Sequence, residues 1–196
     1  MKRLHTSTKQ SESGVTLIEL LVVIVIAGVL AAIAAPSWFA FSSRQRAITV
    51  RSDMIQAVRN AQQDAIQLRQ TRRVEVDTAA TSPTLKIGSL NYGTGYGTGA
   101  SAFDGKTQVL GGEASGNGQI RLSAYRVRAD GTKDTSVSSI AFDYRGLPTD
   151  RDNLPFVVTI SGGPGTIQQC VVVANLLGSL KTANNTECDN PRVGLN

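Results

Sequence analysis

The residue type that enzymes use most often for acid–base chemistry is nearly missing from this sequence. The chain has one histidine, His5, among its first residues. Ser-His-Asp triads, Cys-His pairs and histidine-bearing zinc sites each need an imidazole in the folded part, so the sequence argues against all three. Carboxylate chemistry remains, because Asp143, Asp150 and Asp152 lie close together. Ordinary loop acidity explains these residues, and a membrane-tethered periplasmic enzyme is the alternative.

The sequence offers neither a set of metal ligands nor a cofactor motif. Cys170 and Cys188 are the two cysteines, and two thiols cannot complete a structural zinc site. The run from Tyr92 to Gly99 contains Gly-x-Gly spacings, but a dinucleotide site needs a helix directly after such glycines and no helical pattern follows. We therefore expect a loop at residues 92–99, no metal and no cofactor.

The elements around these residues must come from one domain of ordinary size, because the chain has 196 residues. Apolar residues make up 41% and charged residues 18%, which supports a packed core and excludes a disordered, highly charged chain. Aromatic residues are only 5% and there are 19 glycines. That composition suits short strands and turns better than a large ligand pocket.

The N-terminal part consists of a polar, basic stretch followed by an apolar run. Residues 1–14 are polar, and Val15 to Ala35 is apolar apart from Thr16 and Glu19. A helix of this length spans roughly 30 Å, the hydrocarbon thickness of a bilayer. Because the basic side precedes the run, we expect a single-pass inner-membrane segment with a cytoplasmic N-terminus and an exported, periplasmic remainder.

Glu19 is the exception in the apolar run, because a carboxylate in lipid is costly unless it has a partner. The string from Gly14 to Glu19, Gly-Val-Thr-Leu-Ile-Glu, resembles the type III signal of type IV prepilins and type II secretion pseudopilins. The resemblance implies cleavage after Gly14 by the prepilin peptidase, N-methylation of Val15 and assembly with other pilin subunits. In the filament, Glu19 would neutralise the N-terminal amine of a neighbouring subunit.

Two other interpretations of this segment stay open. Ala32-Ile33-Ala34 offers a small-x-small cleavage site after an apolar run, as a secretory signal would. The run could also be a plain signal anchor in which Glu19 has no role. Pro36 follows the run and either kinks a continuing helix, as in many pilins, or breaks the helix at the membrane exit.

Beyond Pro36 apolar residues recur at spacings of three and four, which predicts one buried stripe on a helix. The stripe comprises Ala47, Val50, Met54, Val58, Ala61, Ala65 and Leu68. No glycine or proline interrupts residues 37–73, so we expect the helix to continue to Arg73. This half of the helix is rich in arginine, which we interpret as a solvated face, with acidic subunits, lipid headgroups and nucleic acid as alternatives.

After Arg73 the apolar residues recur at about every second position, as in strands, and no longer at every third or fourth position. This change predicts a mostly antiparallel β head. We expect strands around residues 74–76, 85–87, 119–128, 138–144, 156–161 and 170–174, the last one turning through 175–178 into a partner at 179–182. Within 119–128 the apolar residues change parity, so we expect a bulge that turns Arg121, Arg126 and Arg128 outward. Such a basic stripe is either solvated edge charge or a grip for a phosphate backbone.

Cys170 and Cys188 fall in the part of the chain that we expect to be exported, where an oxidising environment favours a disulfide. By the chain-entropy estimate such a bond is worth roughly 3 kcal/mol, and it would tether the C-terminal tail. Reactive or metal-binding thiols are the remaining interpretations.

The stretch from Ile140 to Pro148, the strand from Cys170 to Val173, and Gly178 resemble the head of FimT- and GspH-type minor pilins and pseudopilins. The resemblance implies an α+β fold in which a long N-terminal helix carries a β head of two packed sheets. Its parts would be a leader peptide at 1–14, a transmembrane half-helix at 15–35, an amphipathic basic half-helix at 36–73 and the head at 74–196. It also implies a non-enzymatic minor pilin that takes part in pilus assembly and initiation, or else a GspH-type pseudopilin of a type II secretion system.

Some FimT-type proteins bind DNA during natural transformation through a Gly-Arg-x-Arg motif after the penultimate strand. The matching stretch here is Gly178-Ser179-Leu180-Lys181, where serine replaces the first arginine and lysine the second. Lys181, with Arg192 in the tail, is therefore the candidate site for double-stranded DNA that the resemblance implies. Binding through so few charges should be weak at physiological salt.

Overall fold

A computed structural model describes residues 14–91, 102–112, 120–162 and 168–191. The side chains at positions 34–37, 39, 40, 91 and 102 lie outside that description, as does the loop predicted at residues 92–99. The chain divides into two compact units, Met1–Phe39 and Ala40–Asn196. Helix α1, Leu17–Leu68, contributes residues to both.

The first unit contains the beginning of α1. Oγ1 of Thr16 accepts a hydrogen bond from the backbone N–H of Glu19 over 3.3 Å, which satisfies one of the N–H groups that a helix start leaves unpaired. The large apolar side chains of the first turns are exposed, Leu17 the most at 82%. Within the part of the chain that the structure describes, no helix is both long enough and apolar enough to cross a membrane. Helix α1 continues through Pro36, and the membrane segment and the kink stay predictions.

The second unit combines the rest of α1 with two antiparallel sheets. Sheet A has the strand order β3-β2-β1-β6, and sheet B has the order β5-β4-β7-β8-β9. The strands of sheet A are β1 (Arg72–Asp77), β2 (Thr84–Asn91), β3 (Ala102–Val109) and β6 (Ser139–Phe142). Those of sheet B are β4 (Arg121–Val127), β5 (Lys133–Asp134), β7 (Phe156–Ser161), β8 (Gln169–Val173) and β9 (Leu180–Asn184), and a short helix, α2 (Thr186–Asp189), follows. The predicted α+β fold with two sheets is confirmed.

An inner core joins the amphipathic part of α1 to both sheets. The helix contributes the stripe that its spacing predicts, buried from Ala47 to Ala65, whereas Leu68 is 54% exposed because the helix ends there. The strands contribute alternate residues, such as Val74 and Val76 of β1. Burial of these faces is the main source of the stability of the unit.

The opposite face of sheet B carries a second, outer core. Its buried members are Tyr125, Val127, Val157, Cys170, Val172, Ala174 and Cys188. The register between β4 and β7 is regular from Arg121 to Arg126, so the predicted bulge within 119–128 is wrong. The parity of the apolar residues changes because both faces of β4 are buried, Leu122 and Ala124 in the inner core and Tyr125 in the outer one.

The boundaries of two elements differ from those predicted. Helix α1 ends at Leu68 rather than at Arg73, because Arg69 has a positive φ of 51°, a conformation that stops a helix. Arg72 and Arg73 already belong to β1. Strand β3 was not predicted, since it is an edge strand with few apolar residues and leaves no alternating pattern.

Candidate functional site

The first candidate site is the start of α1, where the sequence predicts processing. Gly14 and Val15 precede the helix and are exposed, Val15 at 69%. A Cβ atom added to Gly14 would meet no atom within 4 Å. The peptide bond between the two residues therefore lies in an accessible, non-helical segment, which is what cleavage by a peptidase needs.

Glu19 lies in the first turn of α1, four residues after Val15. Its carboxylate complements the positive end of the helix dipole. The large apolar side chains beside it, Leu17, Ile18 and Leu20, are exposed at 82%, 65% and 57%. An exposed carboxylate among exposed apolar side chains requires a polar partner once that surface enters an apolar environment.

The second candidate site is the C-terminal segment that covers the outer core. The disulfide predicted between Cys170 and Cys188 is present, with 5.8 Å between the two Cα atoms. It joins β8 to α2, and both cysteines are fully buried. The bond therefore holds α2 against sheet B rather than offering a reactive thiol.

Tyr125 reinforces the same attachment from β4. Its hydroxyl donates to the backbone carbonyl oxygen of Cys188 over 2.7 Å. Burial, and second the nearby Asp189 carboxylate, raise the pKa of Tyr125 to about 12. Lys133 of β5 forms an ion pair with Asp189 and lies 5.0 Å from the centre of the Tyr125 ring. Two strands thus hold α2 by polar contacts in addition to the disulfide.

Arg126 of β4 and Arg128, just after the end of that strand, form ion pairs within the head. Asp134, only 8% exposed, accepts from Nε of Arg126 over 2.9 Å and from Arg128 over 2.7 Å. The hydroxyl of Ser136 and these two guanidinium groups hold the pKa of Asp134 well below its usual range. The prediction that Arg126 points outward is therefore wrong, because a buried carboxylate holds it, whereas Arg121 is exposed as predicted.

The prokaryotic N-terminal methylation motif matches residues 9–35. The match includes the Gly14–Val15 bond and Glu19, and the chain goes on into the helix and two antiparallel sheets described above. The chain therefore carries the N-terminal signal of type IV pilin-like proteins. The predicted prepilin-type signal is thereby confirmed for this segment.

The chain is also similar to solved structures at low sequence identity. Against the type IV minor pilin FimU of Pseudomonas aeruginosa strain PAO1 the identity is 10% and the TM-score 0.48, covering 73% of this chain and 92% of that one. Against the minor pseudopilin EpsH from the Type 2 Secretion System of Vibrio cholerae the identity is 16% and the TM-score 0.45, covering 72% and 96%. No curated protein matches the sequence at a significant level. Neither identity is high enough to carry a function across.

Of the two candidate DNA-binding residues, the structure describes Lys181. Lys181 lies exposed on β9, an edge strand of sheet B, opposite Val172 of β8. Arg192 lies outside the described residues. The residue between Gly178 and Leu180, where the motif has its first arginine, is Ser179, whose N–H donates to Oδ1 of Asn175.

Two of the three aspartates near Pro148 accept hydrogen bonds from backbone N–H groups of their own loops, and the third, Asp152, supplies one of those N–H groups. Oδ1 of Asp143 accepts from the N–H groups of Arg145 and Leu147, each over 2.9 Å, and Oδ1 of Asp150 accepts from the N–H of Asp152. Burial raises the pKa of Asp143, but the hydrogen bonds from these groups outweigh it and lower the pKa overall. Across the described ranges, no group of three or more His, Cys, Asp or Glu residues is arranged to hold a metal ion.

Sequence reasoning missed the residues that join distant elements of the head. Asp134 and Tyr125 are two examples, and Gln62 of α1 is a third, since its side chain donates to Gly146 and Gly178 in two different loops. A lone aspartate in a two-residue strand leaves no periodic signal. The one available clue was Tyr125, a large aromatic residue at the strand position where the apolar parity changes.

Proposed function

We propose that this pilin-like protein is a minor pilin of a type IV pilus, a non-enzymatic subunit that takes part in pilus assembly and initiation. It is made as a precursor held in the inner membrane by residues 15–35, with residues 1–14 in the cytoplasm and the head in the periplasm. Prepilin peptidase cuts after Gly14, and the new amine on Val15 is methylated. The mature chain then joins a filament with other pilin subunits.

The observation that supports this proposal most strongly is the match of the methylation motif to residues 9–35, together with the exposure of Gly14, Val15 and Glu19 within it. Cleavage needs an accessible bond, and Gly14 and Val15 lie before the helix begins. Assembly needs a carboxylate within reach of an amine, and Glu19 occupies the first turn of α1.

The chemistry of assembly follows from the cost of burying charge. Packing the apolar start of α1 among neighbouring helices removes Glu19 from water, and a lone buried carboxylate is strongly unfavourable. The positively charged amine of a neighbour's first residue offsets that cost. Glu19 therefore selects the axial position of the incoming subunit, because only one stagger brings opposite charges together.

The experiment compares the wild-type chain with Gly14→Glu, Glu19→Gln and Glu12→Gln in cells of its own host. Mass spectrometry of the chain's N-terminus and immunodetection in sheared filaments are the two measurements. We expect a methylated Val15 terminus in the wild type, an uncut leader in Gly14→Glu, and processing without filament incorporation in Glu19→Gln. Glu12→Gln removes a carboxylate outside the apolar run and should behave as wild type. A wild-type chain that keeps its leader contradicts the proposal.

The proposal also specifies the system to which the chain belongs, a type IV pilus. A pseudopilus of a type II secretion system is the alternative. Deleting the gene and measuring surface pili and secreted proteins side by side separates the two. Loss of pili with secretion intact supports the minor pilin. The reverse result assigns the chain to a secretion pseudopilus and overturns that part only.

DNA binding is a further, separable part of the proposal and rests on the exposed Lys181 of β9. Titrating double-stranded DNA at several salt concentrations with Lys181→Glu and Arg192→Glu tests it. We expect weak binding that falls with salt by a log–log slope of about one per phosphate contacted. Lys106→Glu, which reverses an exposed charge on β3, is the matched control. Binding that persists in both the Lys181 and the Arg192 variant removes the site.

A further inference from the structure

Two turns in different sheets of the head have the same construction. Asp143–Gly146 follows β6 of sheet A, and Asn175–Gly178 joins β8 to β9 of sheet B. In each turn the N–H of the last residue donates to the carbonyl of the first, over 2.8 and 2.9 Å. Each closing glycine has a positive φ, 77° and 71°. In each turn Oδ1 of the first residue also accepts from the N–H groups two and four positions later. Both turns are therefore rigidly held.

Gln62 of α1 brings the two turns together. Its Nε2 donates to the carbonyl oxygen of Gly178 over 3.0 Å and to that of Gly146 over 3.5 Å. A Cβ on Gly178 would collide with Nε2 of Gln62, and a Cβ on Gly146 would lie 2.9 Å from Cδ1 of Ile66. The turns thus lie side by side against one face of the helix, with glycine permitting the close approach.

The tips of the two turns are apolar and exposed. Tyr144 is 59% exposed, Leu176 47% and Leu177 73%, and Ile66 beside them on α1 is 50% exposed. These four residues form what we call the twin-turn patch. Water-exposed apolar side chains on a rigid frame lose little conformational freedom when a partner covers them, which favours their use in binding.

The charged side chains around the twin-turn patch are basic. The side chain of Arg145, at the tip of the first turn, is 62% exposed, lies 5.5 Å from the centre of the Tyr144 ring and forms an ion pair with Asp143 over 3.1 Å. The net positive charge of the rim therefore comes from two further arginines, Arg59 and Arg69. Arg59 precedes Gln62 by three residues on α1, so helical spacing puts the two on the same face, and Arg59 is exposed. Arg69, directly after the last residue of α1, is also exposed. The carboxylate of Asp143 is only 20% exposed and is bound by its own turn. The patch therefore presents an apolar centre with a positively charged rim.

We propose that the twin-turn patch is the docking surface for a different protein subunit of the same filament, one that presents apolar residues surrounded by Asp or Glu. The inference rests on the proposed function, which does not specify the part of the head that contacts another subunit. A second copy of this chain is a poor occupant, because a two-fold contact would place the arginines of one rim against the same arginines of the other. An acidic partner surface is complementary to that rim.

The test uses the full chain in host cells, with a photo-reactive phenylalanine analogue replacing Leu177 or, separately, Tyr144. The control position is Val109, which is 50% exposed and lies in β3, at the opposite edge of sheet A from β6. We expect cross-links from positions 177 and 144, not 109, to a different chain that carries the N-terminal methylation motif. Mass spectrometry identifies the cross-linked peptide and its acidic residues.

Charge reversal then decides whether the contact is specific. In the 177 background, Arg145→Glu should reduce the cross-linked fraction about tenfold, whereas Arg121→Glu, an exposed arginine of β4, should not change it. Changing the identified acidic residue of the partner to lysine should restore the cross-link to the Arg145→Glu chain. That rescue separates a specific pair from accidental proximity.

Three results would each overturn the inference. The first is the absence of a cross-link from both positions, and the second is cross-linking only to lipid or to copies of this chain. The third is a cross-linked fraction that Arg145→Glu leaves unchanged. The proposed function fails independently, by an uncut leader or by absence from filaments. A processed, filament-associated chain without these cross-links refutes the docking surface alone. If the chain keeps its leader but still forms a cross-link to another protein that the charge exchange restores, the proposed role in a filament is refuted. The docking surface itself then stands.

Discussion

The side-chain amide of Gln62 donates from Nε2 to the backbone carbonyl oxygen of Gly178 over 3.0 Å. The two residues are 116 positions apart, and the same nitrogen reaches Gly146 in the other sheet. One glutamine therefore connects the helix to a loop of each sheet. Because Gly146 and Gly178 are buried, water has little access to their carbonyl oxygens and is a poor substitute for the Gln62 donor.

Replacing Gln62 by alanine should destabilise the head by about 1–2 kcal/mol, because two carbonyl oxygens lose their shared donor. Gln62→Glu should be at least as destabilising, since a carboxylate at neutral pH cannot donate. Denaturant unfolding of the detergent-solubilised chain measures both. Gln63→Ala, one position along on the exposed side of α1, is the matched control and should have little effect. Equal stability of the Gln62 and Gln63 variants would contradict the assigned role.

Gly178→Ala should cost about 2 kcal/mol, because alanine is strained at a φ of 71° and its Cβ would displace the Gln62 amide from its hydrogen bond to the carbonyl oxygen of residue 178. Gly131→Ala is the control. Gly131 has a φ of 84°, but a Cβ there would meet no atom within 4 Å, so only the backbone cost of about 1 kcal/mol applies. Thermal unfolding compares the two. A larger loss at position 131 would show that close packing against Gln62 is not what requires glycine at 178.

Periodicity predicted the parts of the fold in which one buried face repeats along the chain. The stripe from Ala47 to Ala65 is visible because every third or fourth helix position meets the same core, and Val74 and Val76 alternate for the same reason in a strand. The helix end at Leu68 was missed because Arg69 to Arg73 contains no glycine or proline to mark it.

The contacts between distant elements were not predictable from one sequence. The hydroxyl of Tyr125 donates to the carbonyl oxygen of Cys188, 63 positions away. In the sequence, Tyr125 marks the position in the strand where the apolar residues switch sides, which suggested a bulge and not a second buried face. The carboxylate of Asp134 is held by Arg126 of β4 and by Arg128, just after that strand. In the sequence these two arginines suggest only a stripe of surface charge. Of the candidate sites, the segment from Gly14 to Glu19 was recognisable because its chemistry lies in contiguous residues.

Removing the disulfide with Cys170→Ser and Cys188→Ser should cost about 3 kcal/mol, because the unfolded chain regains the freedom of the loop between them. The outer core should loosen first, since the bond holds α2 over it. Hydrogen exchange measures this as faster exchange in β8 and β9 than in β1 and β2. Exchange that rises equally in all four strands would contradict local attachment.

Tyr125→Phe offers a milder test of the same attachment. It keeps the ring in the outer core and deletes only the hydroxyl that donates to the carbonyl oxygen of Cys188. The expected loss is about 1 kcal/mol in the free energy of unfolding, measured with the disulfide intact. Tyr144→Phe, on an exposed turn, is the control and should be neutral. A neutral Tyr125→Phe would mean that packing and the disulfide alone hold α2.

Acid should weaken the head partly through Asp134. Its pKa is lowered in the folded state from about 3.8, so its charged form stabilises the fold above pH about 4, and that contribution is lost as the pH falls through the folded pKa. We expect Asp134→Asn to be less stable than wild type at pH 7, and the difference to shrink as the pH falls below about 4. Thermal melting from pH 7 to pH 2 measures the difference. Asp104→Asn, on the exposed edge strand β3, should not show this convergence.

The outer face of sheet B closes late in the synthesis of the chain. Strands β4, β7 and β8 are made before residues 180–190, which include β9 and the helix that carries Cys188. Val157 and Val172 can thus pair and bury their inner neighbours while their own side chains still face solvent. During that interval the partly made head exposes an apolar surface that can aggregate. The interval ends when Cys170 and Cys188 form their disulfide, with a thiol oxidant of the exported compartment accepting the two electrons. The rate at which the last segment arrives therefore sets how long newly made heads can aggregate.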